Sequence, residues 1–173
     1  MDNTFNPKSL SIMEERFGHD TLISLSTMKI RTMKITDYGA VYRLWRETPG
    51  MGLNDIDDSR EGIERYLKRN PRTCFVAELD GEIAGVIMAG HDGRRGYIHH
   101  TCVNTRLWNN QIGTRLVDAA LEALRAEGIS KAALVVFERN ERGNGFWEQM
   151  GFTSRSDLVY RNKALVKLGR IDT

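Results

Sequence analysis

His99–Gly128 reads HHTCVNTRLWNNQIGTRLVDAALEALRAEG, and the fold of the whole chain turns on it. An apolar and aromatic run ends at Val103, a short polar loop rich in Asn and Gln follows, and a long helix opens near Gln111–Gly113. Ile112, Leu116, Ala120 and Leu124 recur at helical spacing, and Val117 and Leu121 widen the stripe. Arg115, Asp118, Glu122 and Arg125 fall mostly off it, and Gly128 stands where a left-handed residue ends a helix. Unpaired amides at a helix start point outward and carry the positive end of the dipole, so the Trp108–Gly113 loop makes a seat for an anion. An ordinary strand and packing helix account for the spacing equally well.

On the N-terminal side of this stretch the pattern is that of strands. Thr73–Leu79 and Glu82–Ala89 flank Asp80-Gly81, a strong short hairpin signal, and His91–Gly96 makes a second turn into Tyr97–Val103. Further upstream, Met28–Met33 reads as a strand, and Thr36-Asp37 supplies a cap for a helix from about Tyr38 to Glu47, stopped by Pro49 and Gly50. Ser59 caps a second helix that ends before Pro71, and the loop between the two helices carries Asp55, Asp57 and Asp58, with Glu61 a turn later. Residues 1–27 precede anything resembling the domain and are read as an N-terminal extension; residues 28–173 are read as a single domain.

Downstream, Lys131–Phe137 is a strongly apolar strand of the buried type. Glu138–Asn140 then precedes a helix through Phe146, Trp147 and Met150, stopped by Gly151, and Phe152–Ser154 and Leu158–Leu165 read as closing strands. The order βααβββαβαββ, without repeats or a linker, describes an α/β protein with a mixed, mostly antiparallel central sheet flanked by helices.

Composition bounds the function classes. The 173 residues suffice for one domain with a real core. Lys and Arg number 25 against 23 acidic residues, and a net charge of +2 gives little long-range field to attract nucleic acid or an anionic membrane. Neither is expected as a partner. Cys74 and Cys102 lack a CxxC pair and metal-ligand spacing, so they read as buried thiols in a reducing compartment, and no metal is expected. No apolar run approaches the ~20 residues of a membrane span and the N-terminus lacks a signal-peptide pattern, so a cytoplasmic protein is expected.

Val103-Asn104-Thr105, the Trp108–Gly113 loop and Thr114–Leu116 resemble the acetyl-CoA-binding segment of the GNAT superfamily of N-acetyltransferases. That family's pattern is Arg or Gln, two residues, Gly, any residue, then Gly or Ala. Gly113 matches its last position and Ile112 the free one, whereas Trp108 replaces the Arg or Gln and Gln111 replaces the Gly. A second anchor is Asn140, Phe146, Trp147, Gly151 and Phe152, at the family's offsets. The resemblance covers residues 28–166 and is nearest to small bacterial members of the ribosomal-protein-alanine acetyltransferase type. The glutamate expected of that subgroup is Val135 here.

The resemblance implies acetyl transfer from acetyl-CoA, as co-substrate, to a small-molecule or peptide primary amine by direct attack. The pyrophosphate donors would be the amides of Asn109, Asn110, Gln111, Ile112 and Gly113 and the hydroxyl of Thr114. Gln111 need not turn left-handed if it sits in a helix-start conformation. The pantetheine arm would add like a strand to backbone groups of Cys102 and Val103, facing Asn140, for which helix capping is a further role. Strand alternation puts Tyr97, His99, Thr101 and Val103 on one face and Ile98, His100 and Cys102 on the other. His99 is the candidate base, a hydrogen-bonded structural histidine is the alternative at that position, and His100 and then Glu138 are the fallbacks. Trp147 stands where relatives carry a Tyr acid, which leaves solvent or Tyr160 to protonate the thiolate. The acidic loop would favour a cationic amine or simply cap the second helix. The resemblance also allows a homodimer through the C-terminal strands. The departures at Trp108, Gln111 and Trp147 suit an alternative, a non-catalytic acyl-CoA-binding or regulatory module of the same fold.

Overall fold

The computed structural model describes residues 28–171. The expected extension, residues 1–27, lies outside the described residues. In chain order the elements are β1 (Lys29–Thr32), α1 (Tyr38–Glu47), β2 (Leu53–Asn54), α2 (Arg60–Arg69), β3 (Phe75–Leu79), β4 (Glu82–His91), β5 (Gly96–Val103), α3 (Ile112–Ala126), β6 (Ala132–Ala133), α4 (Glu141–Gln149) and β7 (Arg170–Ile171). The main sheet runs β1-β3-β4-β5-β6, antiparallel except for the β5–β6 pair, and β2 pairs antiparallel with β7. This is the mixed, helix-flanked sheet the sequence predicts.

The alternation of apolar residues along β3 and β4 gives the sheet two greasy faces. One packs Ile87, Ala89 and Ile98 against the α3 stripe of Ile112, Leu116, Val117, Ala120 and Leu124. The other packs Val76, Val86, Met88 and Cys102 against Val41, Leu44 and Trp45 of α1 and Ile63 of α2. Gly85 lets α3 sit close, since a Cβ there would lie 3.0 Å from Leu116 and 3.2 Å from Ile112. Both cysteines are free and buried, and burial pushes each thiol up to about 12. Ser59 caps α2 as expected, its Oγ accepting from Gly62 N at 3.0 Å. Asp37 does not cap α1 through its side chain. It accepts Lys34 N at 2.8 Å and pairs with the Arg31 guanidinium, fastening the helix start to β1.

Three expectations are corrected. The predicted strand Lys131–Phe137 pairs only at Ala132 and Ala133, opposite Gly96 and Tyr97. Beyond them the segment diverges from β5, and Val135 and Phe137 are 57% and 42% exposed, because one short parallel ladder cannot bury a whole strand. Phe152–Ser154 and Leu158–Leu165 are not strands. Leu158, Val159, Tyr160 and Leu165 are exposed, and the closing pair instead joins β7 to β2, with Asp55 N donating to Gly169 O at 2.9 Å.

The third correction concerns β5. Ile87 lies opposite Thr101 but Ala89 lies opposite Ile98, so β5 carries one extra residue at His99–His100. A bulge breaks the two-residue alternation. Ile98 and Cys102, expected on one face, belong to the cores on opposite faces. His99 and His100, expected on opposite faces, both turn to the helical pair: the His99 ring meets Tyr66 of α2 at 5.4 Å, and the His100 ring meets Trp45 of α1 at 4.9 Å.

Candidate active site

Where β5 and β6 part, a cleft of about 960 Å³ opens. His99, Cys102, Val103, Asn109, Gln111, Ile112, Gly113, Thr114 and Asn140 all line it. Asn110 does not. Its amide nitrogen instead donates to Leu107 O at 3.1 Å and Trp108 O at 3.2 Å, holding the loop.

The floor is an open strand edge. Asn104 N donates to Ala84 O at 2.9 Å, so by antiparallel alternation Cys102 also aims its backbone at β4, and the backbone groups of Thr101 and Val103 point into the cleft. Thr101, not Cys102, therefore presents its backbone groups to the cleft. The Val103 carbonyl is occupied, accepting the Trp108 indole N–H at 2.9 Å. The Thr101 hydroxyl is buried without a partner at this wall.

At the helix start the first intrahelical bond runs from Arg115 N to Gln111 O, which leaves the amides of Ile112, Gly113 and Thr114 without one. Gln111 is left-handed, at φ 58° and ψ 10°, and so is Asn109, at φ 67°. The sequence reading of a helix-start conformation at Gln111 is thus corrected: the residue adopts the turn a glycine would take. Left-handed residues set among helical ones gather amides into a concavity that suits an anion. Gly113 keeps the concavity clear, since a Cβ would stand 3.3 Å from the Phe146 ring.

A cation that the sequence reading did not single out stands on this wall. The guanidinium of Arg142 lies 3.7 Å over the Trp108 ring and donates to Asn109 Oδ1 at 3.3 Å, on the cleft wall. The sequence signal was its place two residues after Asn140. Asn140 itself caps α4, its Oδ1 accepting from Gly143 N at 2.9 Å, while also lining the cleft.

The two histidines of the bulge differ in their surroundings. His100 Nε2 lies 2.6 Å from Asp58 Oδ1, and Asp58, only 4% exposed, also accepts Asn54 N through Oδ2 at 2.7 Å. His100 is thereby a structural tie between β5 and the α1–α2 connection. The side chain of His99 opens to the cleft between the rings of Tyr66 and Tyr97. Desolvation by that packing, followed by repulsion from His100, holds its pKa below the ordinary histidine value. Tyr160 lines the cleft and is 67% exposed, and Trp147 lines it with its ring against Phe146 and Phe152.

The acidic loop does not reach the cleft. Asp55 accepts Gly169 N at 2.7 Å, Asp57 accepts Asn54 Nδ2 at 3.0 Å, and Asp58 is spent as described. Among the described residues no cluster of three or more metal-ligating side chains occurs, and no helix is long and apolar enough to cross a membrane.

A cleft at the parting of two parallel strands, with an open strand edge running to an anion-ready helix start, defines the acyl-CoA-dependent acetyltransferase class. The comparisons agree: the family described as "Acetyltransferase (GNAT) family" matches residues 38–152. An acetyltransferase of Pectobacterium atrosepticum is 31% identical over 140 residues, spanning 81% of this chain and 97% of that one. Among solved structures, the PaiA N-acetyltransferase of Thermoplasma acidophilum in complex with coenzyme A matches with a TM-score of 0.66 at 19% identity, covering 74% of this chain and 91% of that one. The ribosomal-protein-S18-alanine N-acetyltransferase of Escherichia coli matches at 0.60 with 16% identity, covering 75% and 79%. The chain belongs to the GNAT acetyltransferase family and is an N-acetyltransferase.

Proposed function

We propose that the protein transfers an acetyl group from acetyl-CoA to a primary amine by direct attack, with His99 as the base. The observation that carries this reading is the continuous path from His99 along the open edge of β5 to the left-handed turn at Gln111. Acetyl-CoA supplies an acetyl group already activated as a thioester. The amides of Gln111–Gly113, the Thr114 amide and hydroxyl, and Arg142 hold the pyrophosphate, while the Thr101 and Val103 amides hold the strand-like arm. A cleft-facing amide on β5 donates to the carbonyl oxygen as negative charge gathers there. His99, kept neutral near pH 7 by its depressed pKa, takes the proton the amine sheds as its nitrogen bonds to the acetyl carbon. The C–S bond breaks with its electron pair on sulfur, and the thiolate is protonated by Tyr160 or by water. Both cysteines are buried and burial holds each in thiol form, which favours direct attack over an acyl-enzyme.

The test is calorimetric titration with acetyl-CoA and, separately, CoA, followed by thiol release across a panel of amines. Micromolar binding with amine-dependent release is expected. Binding without release for any amine would favour the non-catalytic module, and no binding at millimolar cofactor would end the acetyltransferase reading.

A further inference from the structure

Against the α2 side of β5 lies a second cavity, of about 430 Å³, and among the described residues His99 is the one that lines both. Its inner wall is made by Tyr66, Asn70, Gly90 and Tyr97, and Arg69 and Arg95 stand at its rim. The Tyr66 hydroxyl is buried with no hydrogen-bond partner, and burial raises its pKa far above the ordinary phenol value, so it is a neutral donor with nothing to bond. Gly90 lets Tyr66 and Asn70 close onto β4, since a Cβ there would lie 2.5 Å from the Tyr66 hydroxyl and 2.7 Å from Asn70. Asn70 is already committed, accepting His91 N at 3.1 Å and donating to Tyr66 O at 3.2 Å.

The charges around this cavity are lopsided. Among the described residues, neither Arg69 nor Arg95 has a carboxylate within ion-pair distance. The cavity's one carboxylate, Asp92, is turned to its own loop, where it accepts the amides of Arg94 and Arg95 at 2.8 Å each. None of the acidic-loop carboxylates lines either cavity. Asp55, Asp57 and Asp58 are held by hydrogen bonds within the protein, and the charges of Asp57 and Asp58 act on His99 through space.

We propose that this second cavity binds the acceptor, and that the acceptor is an amine that also carries a carboxylate or phosphate, held by Arg69 and Arg95 with its amine directed to His99. The assignment rests on the acetyl-transfer reading of the main cleft. Guanidinium pairs with carboxylate and phosphate through charge-assisted, often bidentate bonds.

The experiment compares matched amines as acceptors: L-glutamate with its diamide, in which both carboxylates are amidated, phosphoethanolamine with ethanolamine, and spermidine as the cationic arm. The anionic member of each pair is expected to show kcat/KM about tenfold or more above its neutral partner. The carboxylate and phosphate pairs separate the two anion types. In the double variant Arg69→Gln/Arg95→Gln, KM for the anionic acceptor should rise about tenfold with kcat and acetyl-CoA affinity unchanged, and Lys at both positions should restore part of the loss. Equal or better use of ethanolamine, the glutamate diamide or spermidine overturns the proposal, as does an unchanged KM in the double variant. If no amine turns over, glutamate and phosphoethanolamine are titrated into the CoA-loaded protein, and absence of binding by both overturns it. Acetyl-CoA affinity, measured alongside, separates the two readings: its loss sinks acetyl transfer, whereas its retention with a preference for neutral amines sinks the anionic acceptor alone.

Discussion

At the scale of single residues the proposed chemistry rests on His99. Replacing it with Ala should lower kcat by about 10²–10⁴-fold while leaving acetyl-CoA affinity intact, checked by steady-state kinetics beside calorimetry. Since its pKa is depressed below 6.5, wild-type kcat/KM should carry an acidic limb with a midpoint below that value, and this limb should vanish in His99→Ala. The sign for stability is the same. A histidine held neutral by the fold contributes fully above its unfolded pKa and loses that contribution as pH falls through the folded one. Arg142→Ala should weaken acetyl-CoA binding about tenfold, the cost of one charge-assisted contact, with kcat at saturation little changed. His99 and every loop position named from the sequence except Asn110 line one cleft, a placement that follows from the strand–loop–helix order of the chain. Arg142 was not legible in the sequence, because its contact with Trp108 crosses from α4 to the loop before α3.

At the scale of elements, sequence reading succeeds where one local rule governs and fails where two segments must meet. The Ser59 cap and the stripe of α3 follow from short-range pattern alone. The bulge does not, since an extra residue in β5 is visible only against β4, and missing it put His99 and His100 on opposite faces. The closing strands fail for a related reason: Leu158–Leu165 has strand-forming residues, but no strand edge runs beside it, and apolar character without a ladder leaves it exposed. The acidic connection between α1 and α2 was read as favouring a cationic amine or as cap chemistry, and its Asp55, Asp57 and Asp58 make hydrogen bonds within the protein. Asp58→Ala should therefore cost about 2–3 kcal/mol, because it strands His100 and the Asn54 amide together, and urea denaturation measures the loss.

At the scale of the whole molecule, the cleft draws its lining from α1's end, β5, the loop before α3, the segment after β6, and α4. Anything filling it links elements otherwise joined by short ladders, so a ligand should act on global stability. At a hundredfold excess over its Kd, acetyl-CoA should add about 2.7 kcal/mol and raise Tm by roughly 5–10 °C in a thermal scan. An unchanged Tm at saturating acetyl-CoA would contradict a folded-state site. The overall architecture was legible because its helix and strand periods alternate along the chain, while the ends of the sheet were decided by pairing partners far apart in sequence, as β7 with β2.

The extra residue in β5 leaves two neighbouring imidazoles facing one way in unlike company, one clasped by a carboxylate and the other open. Such a pair is its own reference for reagent access. Diethyl pyrocarbonate, which acylates free imidazole nitrogen, should mark His99 well before His100, and peptide mapping of the modified protein would read both sites from a single fragment. CoA added beforehand should slow the first and leave the second as it was.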